Sequence, residues 1–351
     1  MSGQIWQQHD GTGDEKVGVN GIRVVTNTAL RQVIDSSRLW IILAFAAVYV
    51  FWGSTYLAMR FAIETLPPFL MAGIRFLLAG AVLTLWAWRR GAARPALIHW
   101  RTAFIVGGLM LAGGNGGVVW AEQFVPSGLA ALMVATIPLL VVVIASIARW
   151  QYPSLTVAAG IGIGLAGIVI LVGPDNVAGG MRIPVIGAAV LMVASFSWSL
   201  GTYYSRSAPQ HASQFMATGL NMLAGGLVLI VAAGLNGEYT RLNLAGVSLK
   251  SVLALAYLVI FGSLVGFSAY MWLVKVTTPA QASSNFYVNP VVAVILGWLL
   301  AGEALTPRTI LAAAVIVSAV FLIVTHQGRQ ATQQQSEVSV ASLAATAKSA
   351  C

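Results

Sequence analysis

The sequence predicts an all-α membrane protein of ten transmembrane helices arranged as two inverted five-helix repeats. Three observations predict it: too little charge to cover a water-facing surface, ten apolar runs long enough to cross a bilayer, and a weak internal repeat relating the first five runs to the last five.

The 351 residues are 58% hydrophobic and 8% charged, with a mean hydropathy of +0.84, whereas soluble domains carry roughly 25% charged residues. The apolar surface must therefore face lipid, where a helical span needs about 20 apolar residues. A net charge of +9 would suit nucleic acid, but Lys and Arg form no basic patch with interleaved aromatics. They sit instead in short connections and tails, the pattern that sets orientation in a membrane. Cys351 is the only cysteine, which leaves no disulfide framework or thiolate metal site in the folded body. Residues 1–38 are polar and lack the apolar stretch of a cleavable signal, so the first span is expected to direct insertion.

Apolar runs are placed at about 39–61, 67–88, 102–123, 127–148, 155–173, 183–205, 213–235, 250–274, 278–301 and 308–326. Turn or interface signals separate them: Pro67-Pro68, the stretch from Arg89 to Arg101, Pro126-Ser127-Gly128, Pro153, Gly173-Pro174-Asp175, Pro209, Asn236-Gly237, Pro279 and Pro307. With the N-terminus inside, Lys16, Arg23, Arg31, Arg38, Arg89, Arg90, Arg94, Arg101, Arg149, Arg206, Lys275, Arg329 and Lys348 fall on the inner side. Arg182, Arg241, Lys250 and Arg308 fall on the outer one. This bias predicts cytoplasmic N- and C-termini.

A shift of 146 residues places Trp52 on Trp198, Arg60 on Arg206, Phe69 on Phe215, Gly73 on Gly219, Gly80 on Gly226 and Leu83 on Leu229. Further along, a shift of 152 places Pro138 on Pro290 and Val142 on Val294. Five spans per half is an odd number, so the second half must enter the membrane from the opposite side. Inverted repeats of this kind point to a transporter with its site near the bilayer midplane, between the halves. A duplication without mechanistic consequence is the alternative. The division expected is a polar cytoplasmic extension at 1–38, repeats at 39–174 and 183–326, and a disordered cytoplasmic tail at 327–351.

Ionisable groups inside spans are the sharpest pointers to a site, because charge at the bilayer centre is costly. Arg75 lies well inside the second span and either meets a substrate anion or counter-ion, snorkels to the outer interface, or ties helices together. Arg60 and Glu122 lie near span ends, where interfacial solvation competes with function; Glu122 shares a helix face with Asn115 seven residues earlier. Gln281, Asn285 and Asn289 form an i, i+4, i+8 stripe, and Pro290 follows at once. Pro290 and its repeat partner Pro138 each remove a helical hydrogen bond, which marks them as helix-break or hinge positions. Ser195, Ser199 and Tyr203 with Trp198, and Tyr49, Trp52 and Tyr56, offer further polar and aromatic faces. Polar glue between helices and plain packing are the competing readings of these stripes. The run Gly113-Gly114-Asn115-Gly116-Gly117 reads as close helix packing or as a hinge.

An intramembrane enzyme would need His, Cys or paired carboxylates within the bilayer. His9, His99, His211 and His326 fall in tails, connections or a span edge, so no catalytic group, metal site or cofactor is expected.

The residues resemble the drug/metabolite transporter superfamily, and within it the EamA-type transporters. The resemblance spans about 41–325 and rests on Trp52-Gly53-Ser54-Thr55-Tyr56, Ala72-Gly73-Ile74-Arg75-Phe76, Gly114-Asn115-Gly116 leading to Ala121-Glu122, Val125-Pro126-Ser127-Gly128, Tyr287-Val288-Asn289-Pro290 and Gly302-Glu303. It is most similar to the subgroup described as bacterial drug/metabolite exporters. The resemblance implies ten helices, a central cavity and export of small organic solutes such as amino acids. Gln151 stands at the repeat position of Glu303, and Asn221 at that of Arg75, so any role of either charge belongs to one half.

The candidate binding site combines Trp52, Ser54, Arg75, Asn115, Glu122, Trp198, Ser199, Asn285, Tyr287 and Asn289. The expectation is a secondary transporter of the plasma membrane, the bacterial inner membrane, exporting a small metabolite or drug by alternating access, with substrate and membrane lipid as partners and no nucleic acid. Proton coupling through Glu122 or Glu303 and facilitated diffusion both remain open, as does a receptor, scaffold or channel-like protein on the same fold.

Overall fold

The computed structural model describes residues 39–150, 154–172, 184–277, 281 and 284–350. The extension 1–38 and the breaks at Pro153, Gly173-Pro174-Asp175 and Pro279 lie outside them. The chain divides into Met1–Leu43 and Ala44–Cys351. The first unit contributes described residues only at 39–43, the opening turn of the first helix; the second contains the rest of the helical body.

Ten apolar helices are present among the described residues, and no strand. They are α1 (Leu39–Ala62), α2 (Pro68–Arg89), α3 (Leu97–Ala121), α4 (Ser127–Arg149), α5 (Leu155–Val172), α6 (Val185–Ser205), α7 (Gln214–Leu235), α8 (Leu249–Leu273), α9 (Asn285–Ala301) and α10 (Pro307–Ala350). Nine are long and apolar enough to cross a membrane; α9, with 17 described residues, is the shorter tenth. The protein is an all-α membrane protein.

Local chemistry sets the helix ends. Pro68 and Pro307 open α2 and α10, where a missing N–H costs nothing. Ser213 and Ser248 cap α7 and α8 by accepting from Met216 N and Ser251 N. Gly302 ends α9 with φ +65°, a conformation glycine takes without strain. The third span starts earlier than expected, at Leu97, because His99 Nδ1 accepts from Ala96 N and ties down the first turn. The helical backbone of α10 continues through 327–350, where polar composition predicts disorder. That stretch contains no proline and is rich in Ala and Gln, which favour helix.

Three spans depart from α geometry near their middles, with π-helical turns at Val48–Trp52 in α1, Gly108–Gly116 in α3 and Leu258–Val265 in α8. Such turns recur at functional sites. A fourth, α4, is interrupted at residues 135–136, where Thr136 Oγ1 bonds Met133 O and Pro138 comes two residues later.

In the packing, α2 lies along α7 and α5 along α10, while α3 packs on α6 and α1 on α8. The fourth and ninth helices pack on α6 and α1 respectively, and on each other. Buried Met59, Met71, Phe76, Leu132, Met133, Leu191 and Leu229 belong to one core shared by both sets of five helices.

Candidate binding cavity

A cavity of about 260 Å³ lies where α1, α2, α3, α4, α6, α8 and α9 meet, just below the roughly 300–1,000 Å³ of ligand pockets. Helices α5, α7 and α10 do not reach it. The volume suits a small solute.

Two tryptophans stand in its wall, each against a glycine of another helix. Trp198 of α6 lies over Gly114 of α3, where an added Cβ would come within 2.9 Å of its ring. Trp52 of α1 lies over Gly266 of α8 and donates from Nε1 to Gly262 O at 3.0 Å. Phe267 and Tyr270 pack around Trp52, with ring centroids 5.2 and 5.0 Å away.

The polar groups are few and only partly satisfied. Arg75 is 4% exposed, and its Nε donates to Ser263 Oγ at 3.0 Å. It therefore does not snorkel: it joins α2 to α8 and lines the cavity. Among the described residues its Nη1 has no hydrogen-bond partner, nor do Asn115 Oδ1, Ser195 Oγ, Asn285 Oδ1 and Asn289 Oδ1. All five residues line the cavity. Buried polar atoms are normally paired, and here five such atoms without a partner among the described residues belong to residues of one cavity.

Of the ten candidate residues, Trp52, Arg75, Asn115, Trp198, Asn285 and Asn289 line the cavity. The other four do not. Ser54 bonds Tyr257 OH at 2.7 Å and Phe51 O, joining α1 to α8. Ser199 is fully buried between Ile137 O and its own helix's Ser195 O. Tyr287 packs edge-on against Phe321 of α10. Glu122 is buried beyond the cavity, at 0% exposure, so interfacial solvation does not apply to it.

Of the two proline positions, Pro138 adjoins the interruption in α4, whereas α9 runs unbroken through Pro290. Each removes the bond to the carbonyl four residues earlier, at Val134 and Phe286, and both of those residues line the cavity.

Sequence reasoning missed Thr55, Met59, Phe76, Met110, Thr202, Phe267, Tyr270 and Phe286. Apolar residues in apolar runs offer no contrast. Extending the 152-residue register back across α8 would have found one of them, since Phe267 is the partner of Asn115.

The residues at the two ends of the cavity differ in exposure. On the face where α2 and α4 begin, here the far face, the lining residues Met59, Arg75, Val118 and Ala131 are at most 5% exposed. Toward the opposite face, on which α1 starts, Thr202, Phe267 and Tyr270 are partly exposed. Beyond the more buried end, Glu303 accepts from Ser127 N, Ser127 Oγ and Gly128 N at 2.7, 2.7 and 3.0 Å, capping α4. Glu238 caps α2 in the same way, accepting from Phe69 N and Leu70 N at 3.3 and 2.8 Å. Arg60 Nη1 donates to the main-chain carbonyl of Glu122.

The sequence matches the EamA-like transporter family over residues 38–173 and again over 185–325. The chain belongs to that family. This EamA-type protein is 42% identical over 281 residues to the inner membrane transporter YedA of Escherichia coli (strain K12), covering 80% of this chain and 89% of YedA. It is 27% identical over 279 residues to a chloroplastic WAT1-related protein of Arabidopsis thaliana, covering 78% of this chain and 67% of that one. It is 24% identical to the transporter YoaV of Bacillus subtilis (strain 168), covering 80% and 96%. A solved crystal structure shares its fold, with a TM-score of 0.56 at 22% identity over 84% of this chain and 98% of the other. As a member of a transporter family, the EamA-type chain is a multi-pass membrane transporter and not an enzyme.

Proposed function

We propose that this EamA-type transporter exports a small organic solute, amino acid-like or drug-like, across the bacterial inner membrane by alternating access, with both termini cytoplasmic. The observation that carries the proposal is the cavity itself: it is lined by helices of both sets of five, and Met59, Arg75, Val118 and Ala131 at its far-face end are deeply buried. The inner-membrane location of YedA supports the same membrane here. The Lys and Arg bias supports the orientation and makes the far face the outer one.

Several features support reading 39–174 and 183–326 as inverted repeats. Exchanging each helix for its counterpart five positions along maps the packing pairs onto themselves: α3 on α6 becomes α8 on α1, and α4 on α6 becomes α9 on α1. Trp52 and Trp198 are related by 146 residues, and the glycines beneath them, Gly114 and Gly266, by 152. Two related surfaces around one site allow the open end to alternate.

The cavity chemistry supports a solute that is part apolar and part charged. Arg75 Nη1 offers a donor to an anionic group, the amide and hydroxyl oxygens offer acceptors to an amine or hydroxyl, and Trp52 and Trp198 offer apolar faces. The test is counterflow in proteoliposomes with a panel of radiolabelled amino acids, nucleosides and organic acids. Trans-acceleration of at least one solute is expected. Equilibration without trans-acceleration would identify a channel, and no movement of any would favour a receptor or scaffold.

A further inference from the structure

We propose that Arg206 latches the face on which α1 starts when the cavity opens to the far side, by donating to the main-chain carbonyl of Val274. This rests on the alternating-access reading above and names the residue that holds its second state.

The helix boundaries carry the repeat residue for residue. Helices α2 and α7 are both 22 residues long, and Pro68 and Arg89 lie 146 residues before Gln214 and Leu235. Helices α3 and α8 are both 25 residues long, and Leu97 and Ala121 lie 152 residues before Leu249 and Leu273. The ends of α4 and α9, Arg149 and Ala301, differ by the same 152. Residues at the helix ends of one half therefore have assigned counterparts in the other.

Two ties on the far face join two groups of helices. Helix α1 packs with α8 and α9, and α6 packs with α3 and α4. Arg60, in the last turn of α1, donates to Glu122 O at the end of α3. Glu303, after α9, accepts from Ser127 and Gly128 at the start of α4. Both ties run from one group to the other. Their counterparts belong to the opposite face, where Arg206 stands for Arg60, Val274 for Glu122, Gln151 for Glu303 and Pro279 for Ser127. The carboxylate tie cannot be reproduced there, because Gln151 has no charge and Pro279 no N–H. The arginine tie can, since it needs only a guanidinium and a main-chain carbonyl.

The local chemistry suits it. The helical backbone of α8 continues to Val276, and Thr277 is extended, so Val274 lies in a last turn, where carbonyls lack intrahelical donors and the helix dipole favours a cation. Arg206 follows the last turn of α6 and is exposed, whereas Arg60 is half-buried. It is within electrostatic reach of Tyr270, the counterpart of Val118 at the more exposed end of the cavity. The guanidinium stands beside the opening it would close. With one tie on this face against two on the other, the state that keeps the far face tied is the favoured one.

The test uses the full-length protein in membrane vesicles, with Asn115→Cys on a Cys351→Ala background labelled by a membrane-impermeant maleimide from one side at a time. Arg206→Gln is expected to slow far-side labelling about two- to fivefold, because the state open to that side loses its tie, and Arg60→Gln to speed it by a similar factor. Combining the two should bring the ratio of far-side to opposite-side labelling back toward that of the parent. Arg206→Lys, which keeps a charge at the helix end, should restore part of the far-side rate. The melting midpoint in detergent should hold in Arg206→Gln, since the side chain is exposed in the present state. A far-side rate that Arg206→Gln leaves unchanged or raises would overturn the latch, and so would a collapse of the melting midpoint, which marks a structural role. If no variant, Arg60→Gln included, is labelled from the far side and the parent shows no counterflow, alternating access itself fails; an effect of Arg60→Gln without one of Arg206→Gln removes the latch alone.

Discussion

On the far face, the backbone donors that open α2 and α4 are capped by carboxylates from the other set of five helices, Glu238 and Glu303. The far end of α1 is also bonded to the start of α8: Ser251 Oγ donates to Phe61 O, Ser248 N to Thr65 Oγ1 and Lys250 Nζ to Glu64 Oε1. On the opposite face, the described bonds between the sets include His211 with Ala93 O and Tyr49 with Ser284, and the cavity residues there are partly exposed. The difference teaches where the protein holds itself closed. Carboxyl groups bonded to helix N-termini make strong, directional ties, and in the proposed cycle these are the ties that part.

Breaking that asymmetry should have its largest effect at Glu303. Replacing it with Ala leaves two backbone donors and a hydroxyl without their acceptor, and should lower stability by about 3 kcal/mol, seen as a drop in the melting midpoint in detergent. Next comes Gly266→Val. Its side chain would meet the Trp52 ring, and overpacking of this kind costs about 1–3 kcal/mol, so transport should be lost in counterflow with a smaller fall in melting midpoint. Trp52→Phe keeps the aromatic face but leaves Gly262 O without its donor, which should cost about 1 kcal/mol and weaken solute binding in a competition assay. The smallest effect belongs to Lys250→Ala, because the Lys250 and Glu64 side chains are 51% and 43% exposed. An exposed pair contributes about 0–1 kcal/mol, so the melting midpoint should hardly move and raised salt should erase any difference.

Much of the fold was legible because lipid imposes it: each span must be apolar, and Pro, Gly and charge mark the breaks. Arg75, Asn115, Asn285 and Asn289 stood out as polar residues in apolar runs, and the tryptophan pair stood out through the repeat. Helix phase was harder to read. The π-helical turns at Val48–Trp52 and Gly108–Gly116 rotate the next stretch of helix, so a simple i, i+4 stripe loses its register. Ser199 shows a second cause, since its hydroxyl turns back to Ser195 O as well as across to Ile137 O, a choice that spacing cannot reveal. Gln281 belongs to the same stripe as Asn285 and Asn289, yet it is exposed and outside the cavity.

Alternating access is tested most directly by labelling Asn115→Cys, with Cys351→Ala as background, using a membrane-impermeant maleimide applied to one side of the membrane at a time. A cavity closed at the far face predicts fast labelling from the side on which the chain termini lie and slow labelling from the far side, with Glu303→Gln accelerating the far-side reaction. Equal labelling from both sides in the resting protein, or far-side labelling that Glu303→Gln leaves unchanged, would contradict it.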